Sequence, residues 1–321
     1  MVREARAGPR APTAMDPSPK IVVAGGSGML GRRLAAALAG RGWEVVVLTR
    51  SPAGGSQAPG IRRVGWDGRG LGGWASEIDG ARAVANLAGE NVGGGRWTAA
   101  RKRQLAASRL EPTRALVEAV GRARERPAVL LQASAVGYYG ARGETMLDEQ
   151  AAPGRGFLPE LCRSWEAASA EVEALGVRRV LLRTGIVLAR EGGALRKMLP
   201  IFRAGLGGPL GNGRQWFSWI HAADAVAAMT WLLASAELAG AVHLTAPEPV
   251  TNEGFSSALG RALGRPTLLR VPPFALRLAV GEMAEVLLAG QRVVPRRLEA
   301  SGFEFRFPKL DAALADLVRR R

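Results

Sequence analysis

Apolar residues near the start of the chain form two short runs separated by a helix-length segment. Ile21–Ala24 is apolar and rich in β-branched residues, which is typical of a strand buried on both faces. Between Leu34 and Ala39 the apolar positions recur at helical spacing, and Gly40 then ends the helix. Glu44–Thr49 is a second apolar run. The pattern predicts a βαβ unit.

The same alternation continues through the first half of the chain. Further strands are predicted at Ile61–Trp66, Ala83–Leu87, Ala128–Ser134 and Val177–Leu182. Helices are predicted at Thr98–Leu110, at Pro112–Val120 with the proline at a new helical start, and at Phe157–Leu175. This rhythm predicts an α/β fold with a Rossmann-type doubly wound parallel sheet.

The turn between the first strand and the first helix is rich in glycine. It reads Gly25-Gly26-Ser27-Gly28-Met29-Leu30-Gly31. Gly25 can take the backbone angles of a tight turn, Gly28 lets the main chain approach a pyrophosphate, and Gly31 lets the helix pack close to the strand. The helix N-terminus then offers free N–H groups to the phosphates. This context favours a dinucleotide site over the alternative of a glycine-rich turn without a ligand.

The end of the second strand indicates which dinucleotide is bound. NAD sites usually place an acidic residue there for the ribose 2′-hydroxyl, whereas an arginine suits a 2′-phosphate. Here the strand ends with Leu48, Thr49, Arg50 and Ser51, and no acidic residue is nearby. Arg50 can pair with the phosphate and stack on adenine. The sequence therefore predicts NADP(H), with a surface arginine as the alternative.

The sequence pattern changes after Leu188, where glycines and prolines begin to separate shorter apolar segments. We predict a disordered tail over 1–18, because this stretch is rich in Arg, Ala and Pro and has no apolar periodicity. Residues 19–190 are predicted to form the NADP(H)-binding Rossmann domain, with further contributions from 215–247. Residues 191–321 are predicted to form mainly a smaller, C-terminal substrate-covering region.

The composition limits the kinds of partner that we expect for this chain. The chain has 321 residues and a net charge of +16, which raises nucleic acid as a partner. However, the basic residues are almost all arginines spread along the whole chain, so we expect no specific nucleic-acid binding. The single cysteine, Cys162, and two distant histidines, His221 and His243, indicate no metal site. We also expect no membrane span and a cytoplasmic location; the oligomeric state stays open.

Several motifs in order along the chain resemble one family. Besides the glycine turn, they are Asn86-Leu87-Ala88-Gly89-Glu90, Ser108-Arg109-Leu110-Glu111, Ala133-Ser134-Ala135-Val136-Gly137-Tyr138-Tyr139-Gly140, Ser218-Trp219-Ile220-His221 and Gly290-Gln291-Arg292-Val293-Val294-Pro295. The chain is similar, from Ile21 to about Leu317, to NAD(P)-dependent epimerase-family proteins of the extended short-chain dehydrogenase/reductase superfamily. The nearest branch is an atypical one sometimes labelled cell-division-inhibitor-like.

The resemblance implies a Rossmann domain that binds NADP(H) and an epimerase or oxidoreductase activity. The cofactor contacts that it implies fall on residues in the turns after the strands. In this sequence they are Gly25, Gly28, Met29, Leu30, Gly31, Thr49, Arg50, Leu87, Ala88, Gly89, Arg109, Gly185, Ile186 and Val187.

The chain departs from the superfamily in its catalytic residues. Members use a Ser together with a Tyr and a Lys four residues apart on one helix, because a tyrosine with an ordinary pKa near ~10 needs a neighbouring cation to act as a base at neutral pH. In the corresponding helix, Leu161 or Cys162 stands in the place of the Tyr, and Trp165 or Glu166 in the place of the Lys. No Tyr-x-x-x-Lys occurs anywhere in the chain.

Substitutes for the missing pair can be named. Ser134 matches the superfamily serine, and Tyr138 lies in the loop after it, with Arg142 as a nearby positive charge. We predict Ser134 and Tyr138 as catalytic, the alternative being that both tyrosines only pack and position the substrate. Tyr139, Arg214 and His221 are the candidate substrate contacts.

Two residues have competing interpretations. His221 with Asp224 could be an acid–base pair, but a structural histidine beside a helix-capping aspartate is the commoner arrangement. Cys162 on an apolar helix face is more often a packing residue than a redox thiol.

Two classes of function fit these residues. The first is an NADP(H)-dependent oxidoreductase or epimerase acting on a small polar substrate such as a sugar derivative. The second is a non-catalytic NADPH-binding sensor or interaction protein that kept the cofactor site and lost the Tyr–Lys pair. The loop of Ser134 and Tyr138 favours the enzyme; the missing pair favours the sensor.

Overall fold

The computed structural model of the chain describes residues 18–53 and 58–319. The predicted disordered tail therefore lies outside the described residues, except for Ser18. The strands, in chain order, are β1 (Lys20–Ala24), β2 (Glu44–Thr49), β3 (Ile61–Gly65), β4 (Ala83–Asn86), β5 (Val129–Ala135), β6 (Met146–Leu147), β7 (Arg178–Thr184), β8 (Ile186–Leu188), β9 (Trp216–Phe217), β10 (Trp219–His221), β11 (Gly240–Leu244), β12 (Val250–Thr251) and β13 (Arg292–Val293).

The helices alternate with these strands in the first half of the chain and dominate the second half. They are α1 (Met29–Ala39), α2 (Ala99–Arg122), α3 (Phe157–Ala167), α4 (Glu171–Ala174), α5 (Gly193–Arg203), α6 (Ala222–Ala234), α7 (Asn252–Leu263), α8 (Pro273–Val280), α9 (Met283–Leu288), α10 (Arg296–Ala300) and α11 (Leu310–Val318). Among the described residues, no helix combines the length and the apolar character that crossing a membrane requires.

The central sheet has seven strands in the order β11-β7-β5-β4-β1-β2-β3, and all of its pairings are parallel. The order in which the chain adds strands to the sheet reverses between β1 and β4. At such a point, doubly wound folds open a ligand crevice at the carboxyl ends of the strands. The predicted Rossmann-type α/β fold is confirmed. The edge strand β11 lies within the segment 215–247 and was not predicted as a strand.

Two helix predictions need correction. The region from 98 to 120 is one continuous helix, α2, with Pro112 inside it rather than at a new start. Packing holds the helix across Pro112, which is itself buried and lacks a backbone N–H. The next residue, Thr113, is also buried, and its Oγ1 donates to Arg109 O at 2.7 Å. The predicted helix 157–175 is broken into α3 and α4. There Ser169 Oγ donates to Glu166 O at 2.9 Å and competes with the helical pattern.

The C-terminal half is attached to the Rossmann sheet by buried polar contacts and has its own apolar core. That core includes Trp219, Phe255 and Leu314, all less than 2% exposed. The Asp224 carboxylate at the start of α6 accepts the backbone N–H groups of Arg306 and Phe307, both at 2.9 Å. The segment at Arg306 and Phe307 is thereby fixed to α6, which itself packs on α1.

Candidate functional site

The glycine turn after β1 has the geometry that its sequence predicts. Gly25 has a φ of +74°, and a Cβ at this position would lie 2.6 Å from the Leu87 carbonyl carbon and oxygen. A Cβ at Gly31 would lie 2.4 Å from Gly25 O, so only glycine allows α1 to pack this close to the turn. The Gly28 N–H donates to Gly25 O at 3.0 Å. The result is a glycine-walled cradle, closed on one side by the end of β4.

A cleft of about 670 Å³ opens above this turn, at the carboxyl ends of β1, β2 and β4. It brings together half of the predicted cofactor residues, namely Gly25, Gly28, Thr49, Arg50, Leu87, Ala88 and Gly89. Arg50 is exposed at the end of β2, and the Thr49 hydroxyl accepts the Ser51 N–H at 3.3 Å. Its size and glycine walls fit a dinucleotide.

Several lining residues of this cleft were not predicted. Trp66, Asp67 and Arg69 follow β3, and Ser108 and Glu111 lie on α2. Asp67 accepts the Arg69 N–H at 2.8 Å, and Arg69 pairs with Glu111 at 3.1 Å. These residues reach the cleft because β3 pairs with β2 and α2 packs against β4, an arrangement that no local motif predicts.

Other predicted cofactor residues lie around the cleft rather than along its walls. Arg109 is buried and donates from Nη2 to Glu90 O at 2.9 Å, with its guanidinium 5.0 Å from the Trp165 ring centre. It therefore supports the loop after β4, and burial lowers the pKa of Arg109. Leu30 packs against the main core.

The segment after β7 and the start of α1 are not among the residues that line the cleft, and each packs closely against a neighbouring segment. A Cβ at Gly185 would lie 2.6 Å from Ser218 O, so β8 approaches the chain before β10 closely there. Ile186 and Val187 belong to β8, which pairs with β10. Met29 packs against Gly192, where an added Cβ would meet the Met29 sulfur at 2.7 Å.

Ser134, at the end of β5, faces a buried ion pair instead of a Tyr–Lys pair. Its hydroxyl donates to Glu166 Oε1 at 2.6 Å, and Ser134 is 5% exposed. Arg183 donates to both Glu166 oxygens, each at 2.9 Å. Glu166 is one of the residues that stand in the place of the superfamily lysine, so the charge there is reversed and is neutralised by Arg183.

This ion pair is part of a polar row across the sheet. Ser134 pairs in register with Arg183, and Arg183 with His243, so the three side chains share one face of β5, β7 and β11. Tyr139 closes the row, because its hydroxyl lies 2.8 Å from Arg183 Nη1 and 2.5 Å from His243 Nε2. Burial raises the pKa of Tyr139 and lowers the pKa of His243 to about 4, so both are neutral near pH 7.

Tyr138 packs against this row and is partly exposed. Its ring lies 3.5 Å from the guanidinium carbon of Arg183, a cation–π contact. Arg142, the cation proposed from the sequence, is engaged elsewhere: it donates to Tyr139 O at 3.1 Å and to the Ala152 and Pro153 carbonyls. The positive charge beside Tyr138 therefore comes from Arg183.

The predicted substrate contacts do not converge. Tyr139 is 0% exposed and belongs to the polar row described above. His221 is buried; its Nδ1 accepts the Ala223 N–H at 3.0 Å, and its ring lies 4.0 Å from Phe307. Tyr139 and His221 are thus both engaged with neighbouring side chains in the structure, and Asp224 is a structural acceptor as described. Arg214 is exposed on the loop before β9.

Cys162 is buried on α3. Burial raises the pKa of its thiol to about 12, so the thiolate that redox chemistry needs is absent at neutral pH. The packing interpretation fits this environment. Among the described residues, no group of His, Cys, Asp and Glu is arranged to hold a metal ion.

A smaller cavity, of about 160 Å³, lies next to the loop that follows β5. Gly137 and Gly140 form one wall, the start of α3 at Phe157 and Leu158 forms another, and Glu285 and Val286 of α9 form the third. Sequence reasoning placed no candidate residue here other than the neighbouring Tyr138.

Comparison with known proteins adds two family matches. The model of the NAD dependent epimerase/dehydratase family matches residues 21–243, and a domain of unknown function (DUF1731) matches residues 271–317. Epimerase family protein ML0860 of Mycobacterium leprae (strain TN) is 41% identical over 302 residues, which are 94% of this chain and 96% of that protein.

Solved structures show the same relationship. The crystal structure of human epimerase family protein SDR39U1 (isoform 2) with NADPH is similar with a TM-score of 0.83 and 34% identity, covering 93% of this chain and 98% of that chain. The structure of a nucleoside-diphosphate sugar epimerase from Corynebacterium glutamicum is similar with a TM-score of 0.76 and 31% identity, covering 94% of this chain and 58% of that chain.

Proposed function

Because the chain belongs to the NAD dependent epimerase/dehydratase family, we propose that it binds NADPH in the larger cleft and catalyses hydride transfer on a small polar substrate. The observation that carries this proposal is the glycine cradle of Gly25, Gly28 and Gly31 with Arg50 at the end of β2. The NADPH in the human relative's structure supports the choice of NADPH over NADH. The cytoplasmic location stays a prediction.

The residues of the proposed cofactor site divide by the part of NADPH that they would hold. The backbone of the glycine turn and the N-terminus of α1 would bind the pyrophosphate. Arg50 would pair with the 2′-phosphate, and the Gly185–Val187 segment and Ala88 would border the nicotinamide end. When bound, the nicotinamide supplies the hydride chemistry of the reaction.

In the proposed reaction the Tyr138 hydroxyl forms a hydrogen bond with the substrate oxygen and exchanges a proton with that oxygen. The Ser134 hydroxyl is already donated to Glu166, so it can accept a bond from a substrate hydroxyl but has no second proton to give. Arg183 lies against the Tyr138 ring and holds it in place. Arg183 thus brings positive charge to the loop, while Glu166 keeps the guanidinium fixed from the other side.

Two observations bear on the substrate of this reaction. The name of the Corynebacterium glutamicum protein supports a nucleoside-diphosphate sugar. The small size of the second cavity supports a shorter molecule.

A non-catalytic NADPH-binding protein is the second candidate. It is favoured by the buried Glu166–Arg183 pair, which fills the place of the superfamily lysine and engages Ser134. In that case the cleft would report the redox state of the NADPH pool, and Tyr138 would have no chemical role.

Cofactor preference tests the proposed site. Substituting Arg50→Ala should weaken NADPH binding by about ten- to a hundredfold and leave NADH binding nearly unchanged, because a charge-assisted hydrogen bond contributes ~1.5–3 kcal/mol. Fluorescence titrations with both cofactors measure this. Arg41→Ala, an exposed arginine beyond α1, is the matched control. Equal affinity of the wild type for NADPH and NADH would contradict the proposal.

Turnover separates the two candidates. Tyr138→Phe should lower turnover at least about tenfold while NADPH affinity and the melting temperature hold, since the lost hydroxyl acts only in the transition state. The assay follows NADPH absorbance with a panel of carbonyl compounds and sugar nucleotides, and chromatography detects isomers because epimerisation causes no net absorbance change. Tyr139→Phe is the matched control, with its loss expected in stability alone. No turnover or isomer formation, or equal turnover by Tyr138→Phe, would favour the sensor.

A further inference from the structure

The smaller cavity has a charge arrangement of its own. Three charged side chains line it: Arg155 before α3, and Glu282 and Glu285 at α9. Glu282 is already paired, because its carboxylate lies 2.5 Å from Lys102 Nζ. Within residues 18–53 and 58–319, neither Arg155 nor Glu285 has a salt-bridge partner, and both side chains are exposed. The cavity therefore offers one available cation and one available anion.

These two charges belong to different walls of the cavity, which also has apolar lining residues. Arg155 belongs to the segment that enters α3, whereas Glu285 lies on α9. Phe157, Leu158 and Val286 supply the apolar lining, and the Phe157 ring is fixed edge-on against Trp97 at 5.1 Å. A ligand that fits such a cavity carries one negative group and one positive group together with an apolar portion.

The cavity does not suit a nucleoside diphosphate. Its volume of about 160 Å³ is well below the roughly 300 Å³ at which pockets for drug-sized ligands begin. A diphosphate also needs several cationic partners, and Arg155 is the one lining cation in the described part of the chain. The carboxylate of Glu285 would repel the phosphates.

We propose that this cavity binds a small zwitterion, with its carboxylate on Arg155 and its ammonium group on Glu285. The inference rests on the proposed function and names the substrate class of that site. Gly137, which lines the cavity, immediately precedes Tyr138 in the chain, so the proposed site adjoins the loop that carries the proposed catalytic tyrosine. Gln291 Nε2 donates to Gly140 O at 2.9 Å and holds this wall in place.

Matched ligands test the proposal directly. The probes are leucine as the zwitterion, 4-methylpentanoate as its carboxylate-only analogue, 3-methylbutylamine as its amine-only analogue, and UDP-glucose. Binding to the full chain, with and without saturating NADPH, is measured by saturation-transfer NMR and calorimetry. We expect leucine to bind at least about tenfold more tightly than either single-charge analogue, because each charge adds one charge-assisted contact. UDP-glucose is expected not to displace it.

Charge-removing variants assign each contact. Arg155→Gln should weaken leucine and 4-methylpentanoate but not the amine, and Glu285→Gln should weaken leucine and the amine but not the carboxylate. Arg163→Gln and Glu160→Gln, exposed positions of α3 outside the cavity lining, are the controls.

The proposal is overturned if leucine does not bind, if UDP-glucose displaces it, or if both cavity variants match the controls. NADPH titration of the same samples keeps the two proposals separate. Arg50-dependent NADPH binding without leucine binding removes only the zwitterion site, whereas loss of NADPH binding in the wild type removes the proposed function itself.

Discussion

Substituting Arg183→Gln is expected to lower the free energy of unfolding by about 3–5 kcal/mol, the range for removing one partner of a buried ion pair. Arg183 is 6% exposed and donates to both oxygens of Glu166 and to the Tyr139 hydroxyl. Burial alone would lower the pKa of Arg183, but hydrogen bonding to Glu166 raises it above its ordinary value. Without the guanidinium, Glu166 keeps a buried charge, and of its side-chain donors in the described part of the chain the Ser134 hydroxyl remains. Urea unfolding of the two proteins measures the loss.

Two further variants identify the cause. Arg163→Gln removes an exposed arginine from α3 and should change the free energy of unfolding by less than about 0.5 kcal/mol. The double variant Arg183→Met with Glu166→Leu removes both charges and should recover much of the loss, because no unpaired charge stays buried. If Arg183→Gln unfolds like the wild type, the ion pair does not hold this part of the sheet together.

The parts of the fold that the sequence predicts are those set by local patterns. Strands β1, β2, β4, β5 and β7 are largely buried, so their apolar runs are visible in the sequence. Strand β3 lies at the sheet edge and is only partly buried. Strand β11 is not predicted from the sequence because Gly240 and His243 interrupt its apolar pattern. Its formation as a strand depends on pairing with β7. The new helix start predicted at Pro112 is wrong for the opposite reason, since tertiary packing holds a helix that a proline would otherwise break.

The same distinction applies to the candidate site. The glycine turn and Arg50 lie within one βαβ unit, so their geometry follows from about thirty consecutive residues. Glu166, Arg183 and His243 come together only through the order of β5, β7 and β11 and through α3 packed on that face. The one available signal was the acidic residue in the place of the superfamily lysine. The partner that neutralises it lies 17 residues further on and belongs to no motif.

Substituting Gly25→Ala is expected to cost about 2–5 kcal/mol of stability and to weaken NADPH binding on the order of a hundredfold. A φ of +74° costs an alanine roughly 1–2 kcal/mol. The added Cβ, 2.6 Å from the Leu87 carbonyl, forces a backbone shift that costs roughly 1–3 kcal/mol more. That shift moves the turn against the end of β4, so the backbone N–H groups that would bind the pyrophosphate of the proposed cofactor lose their alignment. Losing two charge-assisted bonds accounts for the affinity change.

Gly42→Ala separates backbone strain from the clash, because Gly42 has a φ of +82° with nothing within 4 Å of the added Cβ. This control should lose only the roughly 1–2 kcal/mol of strain and should bind NADPH like the wild type. Urea unfolding gives the stabilities and fluorescence titration gives the affinities. Since both glycines have nearly the same φ, we attribute any additional loss in Gly25→Ala to contact with Leu87. If the two variants lose equal stability and Gly25→Ala keeps its NADPH affinity, the close approach of this turn to β4 is not what shapes the cofactor cradle.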